Sequence, residues 1–599
     1  MTTTCFGSLC ESICGGTSGG GSCSSSSSTR KLAGRGSFRD AVVDEIAELR
    51  RVNTSPSNED TSNASLTIEN LLLGQNPMRK LTEVYHAPER RLGAGAFGEV
   101  WRVRHRSTGT KRVVKKIKMQ PNMDPEDLEF LAKELGVLLR LDHPNVVKCH
   151  DWFQEENGLF IVFELCEGGE LVDFLNATDK REKPAIADVM SQIFAAVAYC
   201  HELNVIHRDL KLENCLLKSR DSESLVKIID FGLCAVTRLQ DAKLKQKLGT
   251  PFFLAPEVID EKRNYGSGVD LWACGVIFYV LLTGHHPFFT RDCGAPGRIG
   301  QQRLFKRICS ECPHQKPLKQ LSGDARDLVS RLLHKDARQR PNAKLCLLHP
   351  YFKAVGGEGS GIRLQRSSLD GGAPLSSDES SEGGADENNI SRKSKRDSFT
   401  QGTVARWAAN ARSFYRQEKF AKIFLLIAAH QAASKDLEEI QKAFLAADVD
   451  RSGELSREEV RAIFEGHCYN NAKPSTSSGG KGDKGEERSA MTDAEFTRLF
   501  DSMDSGKTGN ISYTEWVASV FEKSLLEQEK TVRSAFEFFD LDGNGAIDRT
   551  ELLSLLGGDA GEVDKTMKRL DTTKSGTVTY PEFSAFVKEL TQEMTENPH

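Results

Sequence analysis

The sequence predicts an α+β chain, with a two-lobed domain of strands and then helices over residues 85–353 and an all-α region of helix–loop–helix units over 437–599. Three observations carry that expectation. Between about Tyr85 and Phe352, alternating apolar residues give way to long helical periods. Within that span stand, in order, LGAGAFGEV (92–100), Lys115, Glu134, HRDLKLEN (207–214), DFG (230–232) and APE (255–257). After it, four acidic twelve-residue loops recur between apolar helical segments.

Composition bounds the function. A chain of 599 residues with 38 % hydrophobic content has room for several packed cores. A net charge of −5 is too small to argue for nucleic acid or for a general membrane-surface role. The apolar run Leu271–Leu282 is shorter than the ~20 residues a bilayer needs, so it reads as a buried helix. No secretory core follows Met1, so the 15 cysteines are expected to stay reduced in the cytoplasm, and Cys309-x-x-Cys312 lacks the second pair of ligands a closed zinc site needs. Thr2 stands where N-myristoylation requires Gly; S-acylation of Cys5, Cys10, Cys14 and Cys23 is the alternative route to a membrane, against the plainer reading of unmodified cysteines in a tail. The expected state is a monomer.

In chain order, residues 1–84 form an extension whose Gly/Ser/Cys-rich stretch Gly15–Ser28 cannot bury enough apolar surface to order itself, interrupted by one short amphipathic helix at Asp40–Arg51. Residues 354–397 read as a Gly/Ser/acidic linker, 398–436 as a helical junction, and Asn470–Glu487 as a hydrophilic insertion between the first two helix–loop–helix units.

In the first domain, Gly93, Gly95 and Gly98 suit a strand–turn–strand lying close over a triphosphate, with Leu92 and Val100 beside the nucleotide and Val100 covering the adenine. A lysine in an apolar strand is costly unless paired, so Lys115 is expected to pair with Glu134 and to aim at the α- and β-phosphates of ATP. In HRDLKLEN, Asp209 is placed to orient or deprotonate a substrate hydroxyl, Lys211 to offset charge on the moving phosphoryl group, and Asn214 to hold a metal ion. Asp230 is the expected second ligand for Mg2+.

This order and spacing resemble the eukaryotic protein kinases over 88–352. The resemblance implies a gatekeeper and hinge at Phe163–Cys166, with backbone near Cys166 meeting adenine and Glu170 meeting the ribose or a basic substrate residue. It also implies a structural ion pair between Glu257 and Arg340, and a buried brace for the catalytic loop at Asp270. Val113 replaces the family's usual Ala, and PFFLAPE lacks its usual Tyr residues; neither removes a catalytic group. Leu233–Gly249 has Thr237 as its one hydroxyl residue, so activation by loop phosphorylation is not expected, and Thr250 reads as a brace.

An EF-hand loop takes oxygen ligands at positions 1, 3, 5, 7 (a backbone carbonyl), 9 and 12, and a Gly at 6. Loop 1 supplies Asp448, Asp450, Ser452, Glu454, Ser456 and Glu459 around Gly453. Loop 3 supplies Asp540, Asp542, Asn544, Ala546, Asp548 and Glu551. Loop 2 has Gly506 at position 3, which leaves Asp504, Thr508, Asn510, Ser512 and Glu515. Loop 4 offers Asp571, Thr573, Ser575, Thr577 and Glu582, with two carboxylates. Carboxylate count therefore favours loops 1 and 3 as the stronger Ca2+ sites. Leu455, Ile511, Ile547 and Val578 at position 8 are expected to pair the loops into two calmodulin-like lobes.

Between the halves, Phe414–His430 reads as a basic amphipathic helix with Phe420, Ile423, Phe424 and Ile427 on one face, either a target for such a lobe or a core helix of the loop domain. Kinase, junction and four EF-hands in this order resemble the calcium-dependent protein kinases of plants and apicomplexan parasites. That resemblance implies a two-lobed eukaryotic protein kinase domain followed by an all-α calmodulin-like domain, and a Ser/Thr kinase using ATP, Mg2+ and Ca2+. Calcium would relieve inhibition by the junction, and protein substrates would carry basic residues before the acceptor, as Glu170 and Glu213 also suggest. The alternative is a calcium-regulated pseudokinase scaffold, which would be expected to lack Lys115, Asp209 or Asp230.

Overall fold

The computed structural model describes residues 42, 79–95, 98–119, 125–156, 158–173, 183–220, 224–231, 235–236, 251–260, 265–294, 298–352, 401–432, 437–465, 492–556 and 558–596. The N-terminal cysteines, the Asp40–Arg51 helix beyond Val42, the linker, the Asn470–Glu487 insertion, Gly232 and the segment holding Thr237 and Thr250 lie outside them.

Strands β1 (Arg90–Gly95), β2 (Gly98–Arg104), β3 (Lys111–Ile117), β4 (Cys149–Glu155) and β5 (Gly158–Glu164) form an antiparallel sheet in the order β1-β2-β3-β5-β4. β5 reads GLFIVFE and is buried along almost its whole length, as an interior strand flanked on both edges must be. One core cluster of this lobe gathers Tyr85, Val103, Val114, Phe153, Phe160 and Val162. Leu135, Leu138 and Leu139 of helix α1 (Pro125–Arg140) join the main core instead.

The second lobe is helical. Helix α2 (Lys183–Glu202) packs on helix α3 (Gly268–Thr283), in which every residue from Val269 to Leu281 is buried. That is the apolar run too short to span a bilayer, and among the described residues no helix is long and apolar enough to cross a membrane. Glu257 and Arg340 form a buried bidentate pair at 2.6 and 2.8 Å, and Arg340 also donates to the Gly268 carbonyl at the start of α3.

The junction is two helices, α4 (Gln401–Arg416) and α5 (Lys419–Gln431), where one continuous helix through Phe414–His430 was expected. Extended backbone at Glu418 makes the break, and the Glu418 carboxylate is drawn outward to Lys565 at 3.1 Å and Arg569 at 3.5 Å. Nor is α5 one-sided: residues 423–430 are all buried, so it is a core helix of the loop domain.

The helix–loop–helix units follow as α6 (Glu438–Ala447), α7 (Arg457–Glu465), α8 (Asp493–Met503), α9 (Tyr513–Ser519), α10 (Glu529–Phe539), α11 (Arg549–Leu555), α12 (Ala560–Leu570) and α13 (Tyr580–Glu596). Leu455 and Ile511 exchange backbone hydrogen bonds of 2.8 and 2.9 Å, and Ile547 pairs with Val578, so loops 1 and 2 form one pair and loops 3 and 4 the other.

Candidate active site and calcium loops

The cleft lies between the lobes. Gly95 and Gly98 face one another at the end of the β1–β2 hairpin, Gly93 pairs with Val100, and Val100 pairs with Lys115 on β3. This sets the glycine turn and the lysine on one sheet. Leu92 and Gly93 are exposed, and Val100 is half-buried.

Lys115 departs from expectation, because its ammonium pairs with Asp230 at 2.8 Å and not with Glu134. Glu134 sits buried within electrostatic reach of Lys115, and burial pushes its carboxyl up to about 7. Burial also acts on Asp230, but Lys115 outweighs it and holds that carboxyl below its ordinary range. The pairing with Lys115 is itself what keeps Asp230 ionised.

The HRDLKLEN segment is built around Asp209. Lys211 Nζ lies 2.6 Å from Asp209 Oδ2, and Asn214 Nδ2 donates to the Asp209 carbonyl at 2.8 Å. Asp270, buried on α3, accepts from the backbone N–H groups of His207 and Arg208 at 2.9 Å each and lies 2.8 Å from His201 Nε2. Arg208 (φ +68°) and Asp230 (φ +62°) both adopt the left-handed backbone region, strained for non-glycine residues and held by this surrounding network. Phe231 packs on the His207 ring, with centroids 4.7 Å apart.

At the hinge, Glu164 is buried against Lys218 at 2.5 Å and Lys227 at 2.6 Å. Burial pushes the Cys166 thiol up to about 12, which makes it a poor nucleophile. At the outer edge of the cleft, burial and the neighbouring Glu213 charge raise the Glu170 carboxyl, and Glu213 Oε2 is buried without a hydrogen-bond partner.

All four EF-hand loops share one geometry. The position-12 carboxylate reaches back across its loop: Glu459 to Val449 N at 2.7 Å, Glu515 to Gly506 N at 2.7 Å, Glu551 to Leu541 N at 2.7 Å and Glu582 to Thr573 N at 3.0 Å. The position-1 carboxylate accepts from the Gly at 6, as Asp448 from Gly453, Asp504 from Gly509, Asp540 from Gly545 and Asp571 from Gly576. Oxygens of Asp448, Asp450 and Glu459, and separately of Asp540, Asp542 and Glu551, all lie within 4.8 Å of one another. Asp540 Oδ1 is buried without a partner, and burial pushes Asp448 up to about 7. Crowded, desolvated carboxylates of this kind fit a hard divalent cation. Ser452, Asn544, Thr508, Thr573 and Ser575 occupy the other side-chain positions, and Glu454, Asn510, Ala546 and Thr577 the carbonyl position.

Contacts between the two halves were not foreseen from the sequence. Arg112 of β3 donates to the Gln431 carbonyl at 3.0 Å, the rings of His150 and His430 meet edge-on at 5.4 Å, and Arg79 donates to the Glu537 and Asp540 carbonyls at 2.9 and 3.0 Å.

The protein kinase domain family matches residues 86–352, and the EF-hand domain pair family matches 437–519 and 529–588. Similar whole proteins include calcium-dependent protein kinase 5 of Plasmodium falciparum, 28 % identical over 87 % of this chain and 80 % of that protein. Calcium-dependent protein kinase 33 of Arabidopsis thaliana is 28 % identical over 84 % of this chain and 85 % of its own length. Calcium-dependent protein kinase 3 of Oryza sativa subsp. japonica is 29 % identical over 84 % of this chain and 80 % of its own. A kinase domain and two EF-hand pairs thus stand joined in one polypeptide, and along most of its length the chain is similar to calcium-dependent protein kinases.

Proposed function

We propose that this chain transfers the γ-phosphoryl group of ATP to Ser or Thr hydroxyls of proteins, and that calcium binding to its own EF-hand loops switches the reaction on. The observation that carries this reading is the convergence of Asp209, Lys211, Asn214, Asp230 and Lys115 in one cleft, with no charged group of the set replaced. ATP and magnesium, when bound, supply the phosphoryl group and neutralise its charge. Lys115 orients the α- and β-phosphates, and Asn214 and Asp230 hold the metal. Asp209 accepts the proton of the acceptor hydroxyl, while Lys211, already 2.6 Å away, offsets charge on the transferred group. Glu170 and the unpartnered Glu213 Oε2 form an acidic edge for a basic side chain ahead of the acceptor.

On the calcium side, Asp448, Asp450, Ser452, Glu454 and Glu459 form one strong site, and Asp540, Asp542, Asn544, Ala546 and Glu551 the other. Loops 2 and 4, with fewer carboxylates, complete each pair. The junction, residues 398–436, transmits the change and restrains the kinase at rest. Phosphorylation of a basic Ser/Thr peptide by purified protein tests the chemistry: Asp209→Asn is expected to lower turnover by roughly 10²–10⁴. Near-normal turnover in that variant would overturn the assignment and favour the scaffold.

A further inference from the structure

Asp142 lies outside the cleft, in the turn Leu141–Asn145 that connects α1 to β4. Its backbone N–H donates to the Tyr199 hydroxyl at 2.9 Å, and that hydroxyl lies 3.4 Å from the Arg140 carbonyl, so α2 closes the C-terminal end of α1. The carboxylate is held from the opposite side, by the second EF-hand. Thr514 N donates to Asp142 Oδ2 at 2.7 Å and Thr514 Oγ1 donates to Oδ1 at 2.8 Å. Lys148 Nζ, on the far side of the same hydroxyl, lies 3.4 Å from Thr514 Oγ1.

Loop 1 grips the same turn. His143 and Tyr199 stack with centroids 5.1 Å apart, and Gly453 packs so closely on them that a Cβ there would stand 2.3 Å from the Tyr199 ring and 2.9 Å from the His143 ring. Gly453 has φ +82°, so glycine is required twice over: for its backbone conformation and for this approach. Backbone bonds between Leu455 and Ile511 tie loop 1 to loop 2, and Lys344 of the helical lobe lies 3.7 Å from Asp450. The loop pair therefore holds the end of the helix that carries Glu134.

We propose that Asp142 is a positioning residue for phosphoryl transfer, and that Thr514 of the second EF-hand, beside the position-12 Glu515, is its partner. Held on Thr514, Asp142 fixes the end of α1, and α1 in turn sets Glu134 against Lys115 and Asp230. Loop 2, with the sparser ligand set, thus supplies the polar dock of its pair, and loop 1 supplies the fuller ligand set and the close packing of Gly453. This rests on the calcium-switched reading above. Coupling is reciprocal, so whatever calcium does for α1 through this contact, the contact returns to calcium affinity.

The test uses the full-length chain, with two readouts on each variant: kcat and KM for a basic Ser/Thr peptide at saturating calcium, and calcium titration followed by the fluorescence of Trp516, buried beside Trp407 in this loop pair. Thr514→Val is expected to lower calcium-stimulated kcat roughly tenfold, with peptide KM little changed, and to move the fluorescence midpoint to higher calcium by a similar factor. Asp142→Ala, which removes both bonds, has the larger effect, and Thr514→Ser restores both readouts. If wild type is calcium-stimulated and Thr514→Val and Asp142→Ala match it, the inference is overturned while the switch stands. A loss of kcat with an unmoved calcium midpoint also overturns it, since the coupling would be missing. A wild type indifferent to calcium overturns the switch and this inference together.

Discussion

The two EF-hand pairs are built alike and used differently. Each contains one three-carboxylate cluster, Asp448/Asp450/Glu459 or Asp540/Asp542/Glu551, beside a loop with a sparser set. The first pair turns its loops toward the kinase, where Gly453 and Thr514 meet Tyr199, His143 and Asp142. Both pairs enclose the junction, the first through Trp516, 6.3 Å from Trp407 of α4, and the second through a ring cluster on α5: the Phe420 ring lies 5.1 Å from Phe539 and 5.5 Å from Phe586, and Phe424 lies 5.6 Å from Phe583. Aromatic pairs of this kind contribute about 0.5–1.5 kcal/mol each beyond their buried area, so the cluster is a firm hold on α5. The second pair's own reach to the kinase is at the helix that leads into loop 3, where Arg79 caps the carbonyls of Glu537 and Asp540 and Ser107 donates to Glu537 at 2.7 Å. The difference teaches that coupling to the kinase does not require a full ligand set: Thr514 of loop 2 carries it as Gly453 of loop 1 does.

That contrast is open to direct attack. The largest effect is expected from the position-12 glutamates of the strong loops, where a lost bidentate ligand damages the site most. Moving a switch from 1:99 to 99:1 takes roughly 5.5 kcal/mol of differential binding, more than one remaining strong loop readily supplies. Glu551→Gln and Glu459→Gln should each raise the calcium needed for half-maximal peptide phosphorylation by at least about tenfold. Glu515→Gln should shift it little. A Glu515→Gln effect exceeding both would overturn the ranking of the loops by carboxylate count.

A smaller effect is expected from pH, at the face where the junction meets the sheet. His150 and His430 are buried against each other, with Arg112 and Lys148 beside both and Lys218 beside His150. Burial first, and those cations next, push both imidazoles well below their ordinary value. Exposed, each would titrate near ~6.5, so the separated halves bind more protons than the docked ones below that pH. Docking is then at full strength above about pH 6.5 and weakens as pH falls through it, by roughly 1 kcal/mol per histidine near pH 6. Limited proteolysis of calcium-loaded protein should release the junction faster at pH 6.0 than at 7.5, and His430→Gln should flatten the dependence. Equal rates at both pH values would remove these histidines from the interface energetics.

What could be read from the sequence was what is local in the chain. Asp209, Lys211 and Asn214 lie within six residues and meet in one loop, and each EF-hand gathers its ligands within twelve, so spacing alone located them. The buried helix through Leu271–Leu282 was legible because its apolar run is unbroken. Choices between equivalent partners were not: Lys115 could meet Glu134 or Asp230, and which of them it reaches is set by how separate elements pack, which no spacing reports. The break at Glu418 carries no Pro or Gly to mark it, and its carboxylate meets Lys565 and Arg569 from far along the chain. Asp142 and Thr514, 372 residues apart, leave no periodic trace, because a contact between two finished domains sets no local pattern.

A calcium titration of peptide phosphorylation by purified full-length protein, with Glu459→Gln/Glu551→Gln as the paired variant, tests the union of kinase and sensor most directly. A calcium-switched kinase will be nearly silent in chelator and rise steeply over a narrow calcium range, and the paired variant will stay silent across that range. Equal activity in chelator and in calcium, or a paired variant that responds as the wild type does, would contradict it.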